Sequence, residues 1–226
     1  MAAVTARVGV FGGAFDPPHL GHVELARAGV ERFALQRLLV RVVEDPGHKA
    51  VTTPAAVRLR LAELAFASVA VAEVAVDAFA RTVDSLESLA LPDPVFLVGA
   101  DEFASFLDWK EPARVLELAR LGVATRPGVE RARLDSVLAA LERPDRVSFF
   151  PIEPLPVSSS EIRRRAAAGD PLDGLVPAPV AAEIARLGLY RAVETAQGGV
   201  CLERNRANGR HRPDIPRTCT SHRRPL

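Results

Sequence analysis

The segment Gly12-Gly-Ala-Phe-Asp-Pro-Pro-His-Leu-Gly-His22 combines residue types suited to holding a polyphosphate. Gly12 and Gly13 lack side chains where a backbone would approach a ligand closely. A helix opening near His19 would aim free N–H groups and its positive dipole end at an anion. His19 and His22, at i and i+3, fall on one face of that helix and can reach the same group. Each piece also has a plainer role. A Gly-Gly turn after a strand is commonly structural, and Asp16-Pro-Pro makes a rigid turn. Paired histidines also occur in zinc sites, but no Cys or third His lies nearby to complete a ligand set.

A second cluster, Ser158-Ser-Ser-Glu-Ile-Arg163, supplies hydroxyls, backbone N–H groups and a forked cation to an anion. Serine runs are also N-caps. Here a helix is expected to begin at Ser160. Of the three consecutive arginines only Arg163 is a site candidate, since Arg164 and Arg165 lie on other helix faces and read as solvated.

The elements that must position these clusters alternate. Strand-like runs occupy residues 8–11, 38–43, 71–76, 95–98, 122–124 and 147–150. Helical patterns fill 19–33, 54–68, 82–91, 112–118 and 131–141, then 160–168 and 178–187. Such alternation predicts an α/β fold, a Rossmann-like parallel sheet with helices on both faces. Ligands of these sheets bind outside the carboxyl ends of the strands. The turn after the first strand and Gly99-Ala-Asp101 after the fourth would therefore face one crevice.

Composition bounds the rest. The 226 residues are 48% hydrophobic and 25% charged, values of a globular protein able to bury a sizeable core. A net charge of +1 argues against a general nucleic-acid binder. No apolar run reaches membrane-spanning length, and the first residues lead straight into a strand. Residues 1–191 read as one domain. Residues 192–226 carry seven arginines against three acids, no apolar periodicity and both cysteines, and read as a basic, disordered tail. With no disulfide framework in the body, a reducing, cytoplasmic setting is expected.

The two clusters together resemble the bacterial nicotinate-nucleotide adenylyltransferases. These belong to the nucleotidyltransferase group marked by an HxGH signature and a distal S-S-[ST]-x-I-R motif. The resemblance runs over roughly residues 8–190. His48-Lys49 and the following Thr53-Pro-Ala-Ala-Val-Arg-Leu are similar to the family's P-P-H-K segment and its helix. Thr82-Val-Asp-Ser-Leu86 resembles T-x-D-T-L, and Phe96-Leu-Val-Gly-Ala-Asp101 with Trp109 resembles the G-A-D…W block. Thr125-Arg-Pro-Gly128 resembles S-R-P-G, and Leu187-Gly-Leu-Tyr190 the family's exit from its last helix. All three histidines of the body fall inside motifs.

The resemblance implies transfer of AMP from ATP to nicotinic acid mononucleotide, giving deamido-NAD and pyrophosphate without a covalent enzyme intermediate. It casts His19, His22 and Arg163 as catalytic, with protonated imidazole as the useful form. ATP contacts are implied for Gly12, Gly13, Phe15, Gly99, Asp101, Ser158, Ser159 and Ser160. Mononucleotide contacts are implied for Asp16, Lys49, Thr82, Trp109 and Arg126. Asp101 doubles as a helix N-cap, and Trp109 is equally suited to the core or to stacking on a pyridine ring. Mg²⁺ is expected on the ATP phosphates, with no dedicated protein metal site. The partners implied are small-molecule substrates, with neither membrane nor specific nucleic acid; a homo-oligomer is compatible.

The chain departs from the family around the acceptor. Asp45-Pro-Gly-His-Lys49 lacks one proline, Asp77-Ala-Phe-Ala-Arg-Thr82 lacks the usual Tyr, and Ser160 replaces Thr. Three alternatives therefore stand beside the main reading: nicotinamide mononucleotide as acceptor, another phosphorylated acceptor, or a non-catalytic nucleotide-binding module.

Overall fold

Six short strands, built mainly from Val, Leu, Phe, Ala and Gly, hydrogen-bond into one parallel sheet. The computed structural model describes residues 6–47, 51, 53–126, 128 and 130–191. In chain order these form β1 (Val8–Gly13), α1 (Leu20–Phe33), β2 (Arg37–Val43), α2 (Ala55–Phe66), β3 (Ala72–Asp77) and α3 (Thr82–Leu89). There follow β4 (Val95–Gly99), α4 (Ala100–Phe103), α5 (Pro112–Leu118), β5 (Arg120–Thr125), α6 (Arg131–Ala139), β6 (Val147–Pro151), α7 (Ser159–Ala168) and α8 (Ala178–Leu187).

The sheet order is β3-β2-β1-β4-β5-β6, every pair parallel. The order reverses between β1 and β4, so a crevice opens there at the carboxyl ends of the strands. On one face Val23 and Ala26 of α1, Leu61 of α2, Ile162 of α7 and Val180 of α8 pack on Leu38, Val40 and Val42 of β2. On the other, Val83 and Leu86 of α3, Val115 of α5 and Leu134 of α6 pack on Val10, Leu121 and Val123. Both faces are thus covered, and the strands read as nearly continuous apolar runs for that reason.

The expected elements are present with shifted ends. The helix expected over 82–91 stops at Leu89, because Ala90 turns left-handed (φ 46°) and returns its N–H to Leu86 and Glu87. The one expected from Ser160 starts a residue earlier, capped by Ser158. It ends where Gly169 takes φ 75°, a conformation that costs glycine little. The short α4 and a 3₁₀ turn, Phe106–Asp108, have no sequence periodicity to announce them. Asp101 is not an N-cap: Gly99 holds that position and Asp101 lies in the first turn of α4. Residues 192–226 lie outside the described residues, as does Lys49.

Candidate active site

A cavity of about 990 Å³ opens over the carboxyl ends of β1, β2, β4 and β5. Every described residue singled out from the sequence as a site candidate lines it. Two walls differ in character.

The first wall joins the β1–α1 turn to α7. Arg163 Nη1 donates to the Asp16 carbonyl at 2.6 Å and Nη2 to Ser160 Oγ at 3.2 Å. Ser159 donates its hydroxyl to the Pro17 carbonyl at 2.8 Å. Ser158 Oγ accepts from the Glu161 N–H, leaving its own O–H available as a donor. Arg164 and Arg165 both bind Glu161, which burial-free pairing with these two cations pulls down to about 2. Only Arg163 of the three therefore turns to the cavity, as the helix faces predict.

His19 is the N-cap of α1 and His22 stands three residues on. Their rings stack at 3.6 Å with 23° between planes. The His19 N–H donates to His22 Nδ1 at 3.2 Å, which leaves that nitrogen unprotonated and puts the ring proton on Nε2. Burial, assisted by the Arg126 charge, pulls His19 down to about 4, so it is neutral at pH 7. The expected imidazolium form thus needs the charge of a bound anion; two stacked rings accommodate one such charge more readily than two. Leu20, first residue of α1, gives its N–H to the Leu175 carbonyl, so fewer α1 donors remain free than the sequence suggests.

Phe15 is 2% exposed and adopts φ 48°. Its ring meets Phe11, Phe66 and His22 edge-on, and a Cβ on Gly13 would approach it to 3.0 Å. Phe15 therefore wedges the turn in place. Gly12 and Gly99 are different. A Cβ on Gly12 would meet only Phe96 at 3.6 Å, and one on Gly99 would meet nothing within 4 Å. No protein packing demands glycine at either position. Beyond Gly99, Asp101 pairs with Arg126 at 2.9 Å, joining a residue of the implied ATP side to one of the implied acceptor side.

The second wall is built from β2, β3, α3 and the segment after α4. Thr82 opens α3, and Trp109 is held edge-on by Phe96 and Phe106 at 6.1 and 5.2 Å. Asp16 reaches the cavity from below at only 4% exposure, where Tyr190 donates its hydroxyl to the carboxylate at 2.7 Å. Burial pushes the Tyr190 phenol well above its ordinary range, so it stays a donor.

Two supporting residues escape sequence reasoning. Arg58 of α2 is 1% exposed and donates to four carbonyls: Thr53, Ala14, Val43 and Glu44, at 2.7 to 2.9 Å. It ties the turn after β1 to the end of β2 and the approach to α2. Its signal is an arginine in line with the buried Leu61, Ala62 and Ala65 of the same helix. Tyr190, the one tyrosine in the chain, carries the other signal.

A parallel Rossmann-like sheet with a glycine–histidine turn and a serine–arginine helix around one cavity defines the nucleotidyltransferase class. The chain belongs to the cytidylyltransferase-like family, whose model matches residues 10–165, and within it to the nicotinate-nucleotide adenylyltransferases. It is 39% identical over 201 residues to a "probable nicotinate-nucleotide adenylyltransferase" of Thermomicrobium roseum, covering 84% of this chain and 94% of that one. A protein of the same name from Rubrobacter xylanophilus is 34% identical over 216 residues, covering 89% of this chain and all of the other. Among solved structures, the Plasmodium falciparum nicotinic acid mononucleotide adenylyltransferase complexed with NaAD superimposes with a TM-score of 0.63 at 16% identity. That match covers 82% of this chain and 97% of that one, and at such identity speaks to the fold.

Proposed function

We propose that this chain is an adenylyltransferase that moves AMP from ATP to the 5′-phosphate of nicotinic acid mononucleotide. An acceptor phosphate oxygen attacks the α-phosphorus of ATP; the bond from that phosphorus to the β-bridging oxygen breaks, and pyrophosphate leaves. No protein nucleophile is required, so catalysis rests on positioning and on stabilising charge as it shifts toward the leaving group. The observation that carries this reading is the fastening of Arg163 to the Asp16 carbonyl, which brings the distal helix against the histidine turn across 147 residues. Relatives at 34–39% identity over most of the chain carry the same name.

In this reading His19 and His22 donate to the ATP phosphates through Nε2. Ser158, Ser160 and Arg163 hold the β- and γ-phosphates. Trp109 stacks on the pyridine ring, Thr82 and Arg126 line the acceptor side, and Lys49 meets the acceptor phosphate. The first wall offers donors and cations, which suit phosphate oxygens, and His/Cys/Asp/Glu groups of metal-holding geometry are absent among the described residues. In this reading Mg²⁺ would sit on the ATP phosphate oxygens and water, where it would offset their charge. Among the described residues no helix is long and apolar enough to cross a membrane, and we place the reaction in the cytoplasm. Residues 1–191 form the catalytic domain in this reading.

The test is product analysis with ATP, Mg²⁺ and nicotinic acid mononucleotide. Deamido-NAD and pyrophosphate should form in equal amounts. ATP binding without pyrophosphate release from any mononucleotide would instead support a non-catalytic nucleotide-binding module.

A further inference from the structure

The turn between β1 and α1 is fastened by three separate parts of the chain. Arg58 of α2 donates to the Ala14 carbonyl at 2.7 Å. From α7, Arg163 donates to the Asp16 carbonyl at 2.6 Å and Ser159 to the Pro17 carbonyl at 2.8 Å. The third fastening comes from the segment after α8 and meets a side chain instead of the backbone. Tyr190 donates its hydroxyl to Asp16 Oδ1 at 2.7 Å, across 174 residues. Its φ is 65°, a left-handed conformation uncommon for a residue with a Cβ, two positions after Gly188 caps α8. Such a backbone persists where its surroundings hold it, here the core against which Leu189 and Tyr190 pack.

Packing alone does not ask for a hydroxyl at this position. Asp16 lines the cavity yet is almost fully buried, and a buried carboxylate needs donors. The phenol supplies one, and burial keeps it protonated. The Thr53 side chain also hydrogen-bonds the phenol, while its carbonyl accepts from Arg58, so the bond belongs to one buried polar network. Asp16 carries that network to the cavity. It takes the phenol on its carboxylate and Arg163 on its carbonyl, and His19 follows three residues later as the N-cap of α1. A carboxylate released from Tyr190 would compete with phosphate for the Arg163 guanidinium, already bonded to the same residue.

We propose that Tyr190 is a positioning residue for adenylyl transfer: it holds the Asp16 carboxylate and, through Asp16, keeps Arg163 in the geometry that receives the phosphates. Tyr190 does not itself line the cavity, so it touches no reacting atom. Its effect falls on turnover, because a small displacement of charge-stabilising groups costs more in the transition state than in ground-state binding. The assignment rests on the proposed adenylyl transfer to a pyridine mononucleotide.

The test uses Tyr190→Phe, which keeps the ring and removes the O–H, alone and combined with Arg163→Ala. For each full-length chain, shown to be folded by circular dichroism, kcat and the KM values for ATP and nicotinic acid mononucleotide are measured. Tyr190→Phe should lose about tenfold in kcat while both KM values stay within about twofold. In the Arg163→Ala background the same change should cost less than about twofold, because the group through which Tyr190 acts is gone. An unchanged kcat, or losses that multiply in the double variant, would overturn the assignment while leaving adenylyl transfer standing. Tyr190 is the one tyrosine of the chain, so incorporated 3-fluorotyrosine labels it alone. Its ¹⁹F resonance should move when ATP binds. A resonance indifferent to bound ATP would overturn the assignment even if Tyr190→Phe did not fold. A wild-type chain that binds ATP but forms no dinucleotide would overturn the proposed reaction and the assignment together.

Discussion

The two walls of the cavity hold their charges in opposite ways. On the phosphate wall the cations and hydroxyls are already bound to the protein: Arg163 to the Asp16 carbonyl, Ser159 to Pro17, His22 to the His19 N–H. On the acceptor wall Arg41 lines the cavity and pairs with the buried Asp77, which also accepts from the Phe79 N–H and the Ser85 hydroxyl. A triphosphate carries charge enough to engage several donors at once, so the phosphate wall gains most from rigidity and geometry. The acceptor wall instead holds Arg41 by charge, its Nε lying 3.8 Å from the Asp77 carboxylate without a hydrogen bond among the described residues.

The contrast is broken most severely on the phosphate wall. His22→Ala should lower kcat by about 10² to 10³-fold. It removes one acceptor of a backbone N–H, so its stability cost should stay near 1 kcal/mol by denaturant titration. Turnover like wild type would remove the histidines from the chemistry.

Arg58→Met strikes the floor shared by both walls. Removing the buried donor that four carbonyls share, one of them buried and three part-buried, should cost roughly 3 kcal/mol of stability. In whatever fraction folds, the KM for both substrates should rise. A loss confined to stability, with both KM values intact, would make Arg58 a core residue and nothing more.

Gly99→Ala tests close approach without packing. The new methyl group meets no protein atom within 4 Å, so folding should be unaffected. The KM for ATP should rise about tenfold while that for the mononucleotide stays. An unchanged ATP KM would place the nucleotide elsewhere.

A smaller effect concerns pH. His19 is held near 4 in the folded protein against 6.5 when unfolded, so the unfolded chain binds the extra proton between those values. Its contribution to stability is complete above pH 6.5 and is lost as pH falls toward 4. His19→Gln should flatten that part of the stability profile, measured without ATP. A profile of wild-type shape in the variant would contradict the assignment of the acid loss to this ring. The smallest effect is expected from truncation after Ala192: the cavity is lined by residues up to Arg163, and activity should be retained.

Much of this was legible in the sequence because its signals are local. Strands alternate with helices at regular spacing, and the glycine–histidine turn and serine–arginine segment each carry their chemistry within a dozen residues. The signals that fail are those decided by distant contacts. Nothing near Arg58 reveals that it will find carbonyls from three separate segments, and nothing near Tyr190 reveals that Asp16, 174 residues away, will accept its hydroxyl. Asp16 itself reads as a substrate contact; it lines the cavity and also accepts that hydroxyl. The protonation expected of His19 also depends on burial and on Arg126, neither of which spacing can show. Arg41 is hidden for a related reason: in sequence it is one more arginine in an arginine-rich chain, and only the sheet register brings it beside Asp77.

The most direct test of the account is a competition. Equal concentrations of nicotinic acid and nicotinamide mononucleotides, with limiting ATP and Mg²⁺, yield two dinucleotides whose ratio is the ratio of the two kcat/KM values. The account predicts that deamido-NAD predominates. A product mixture dominated by NAD would contradict it.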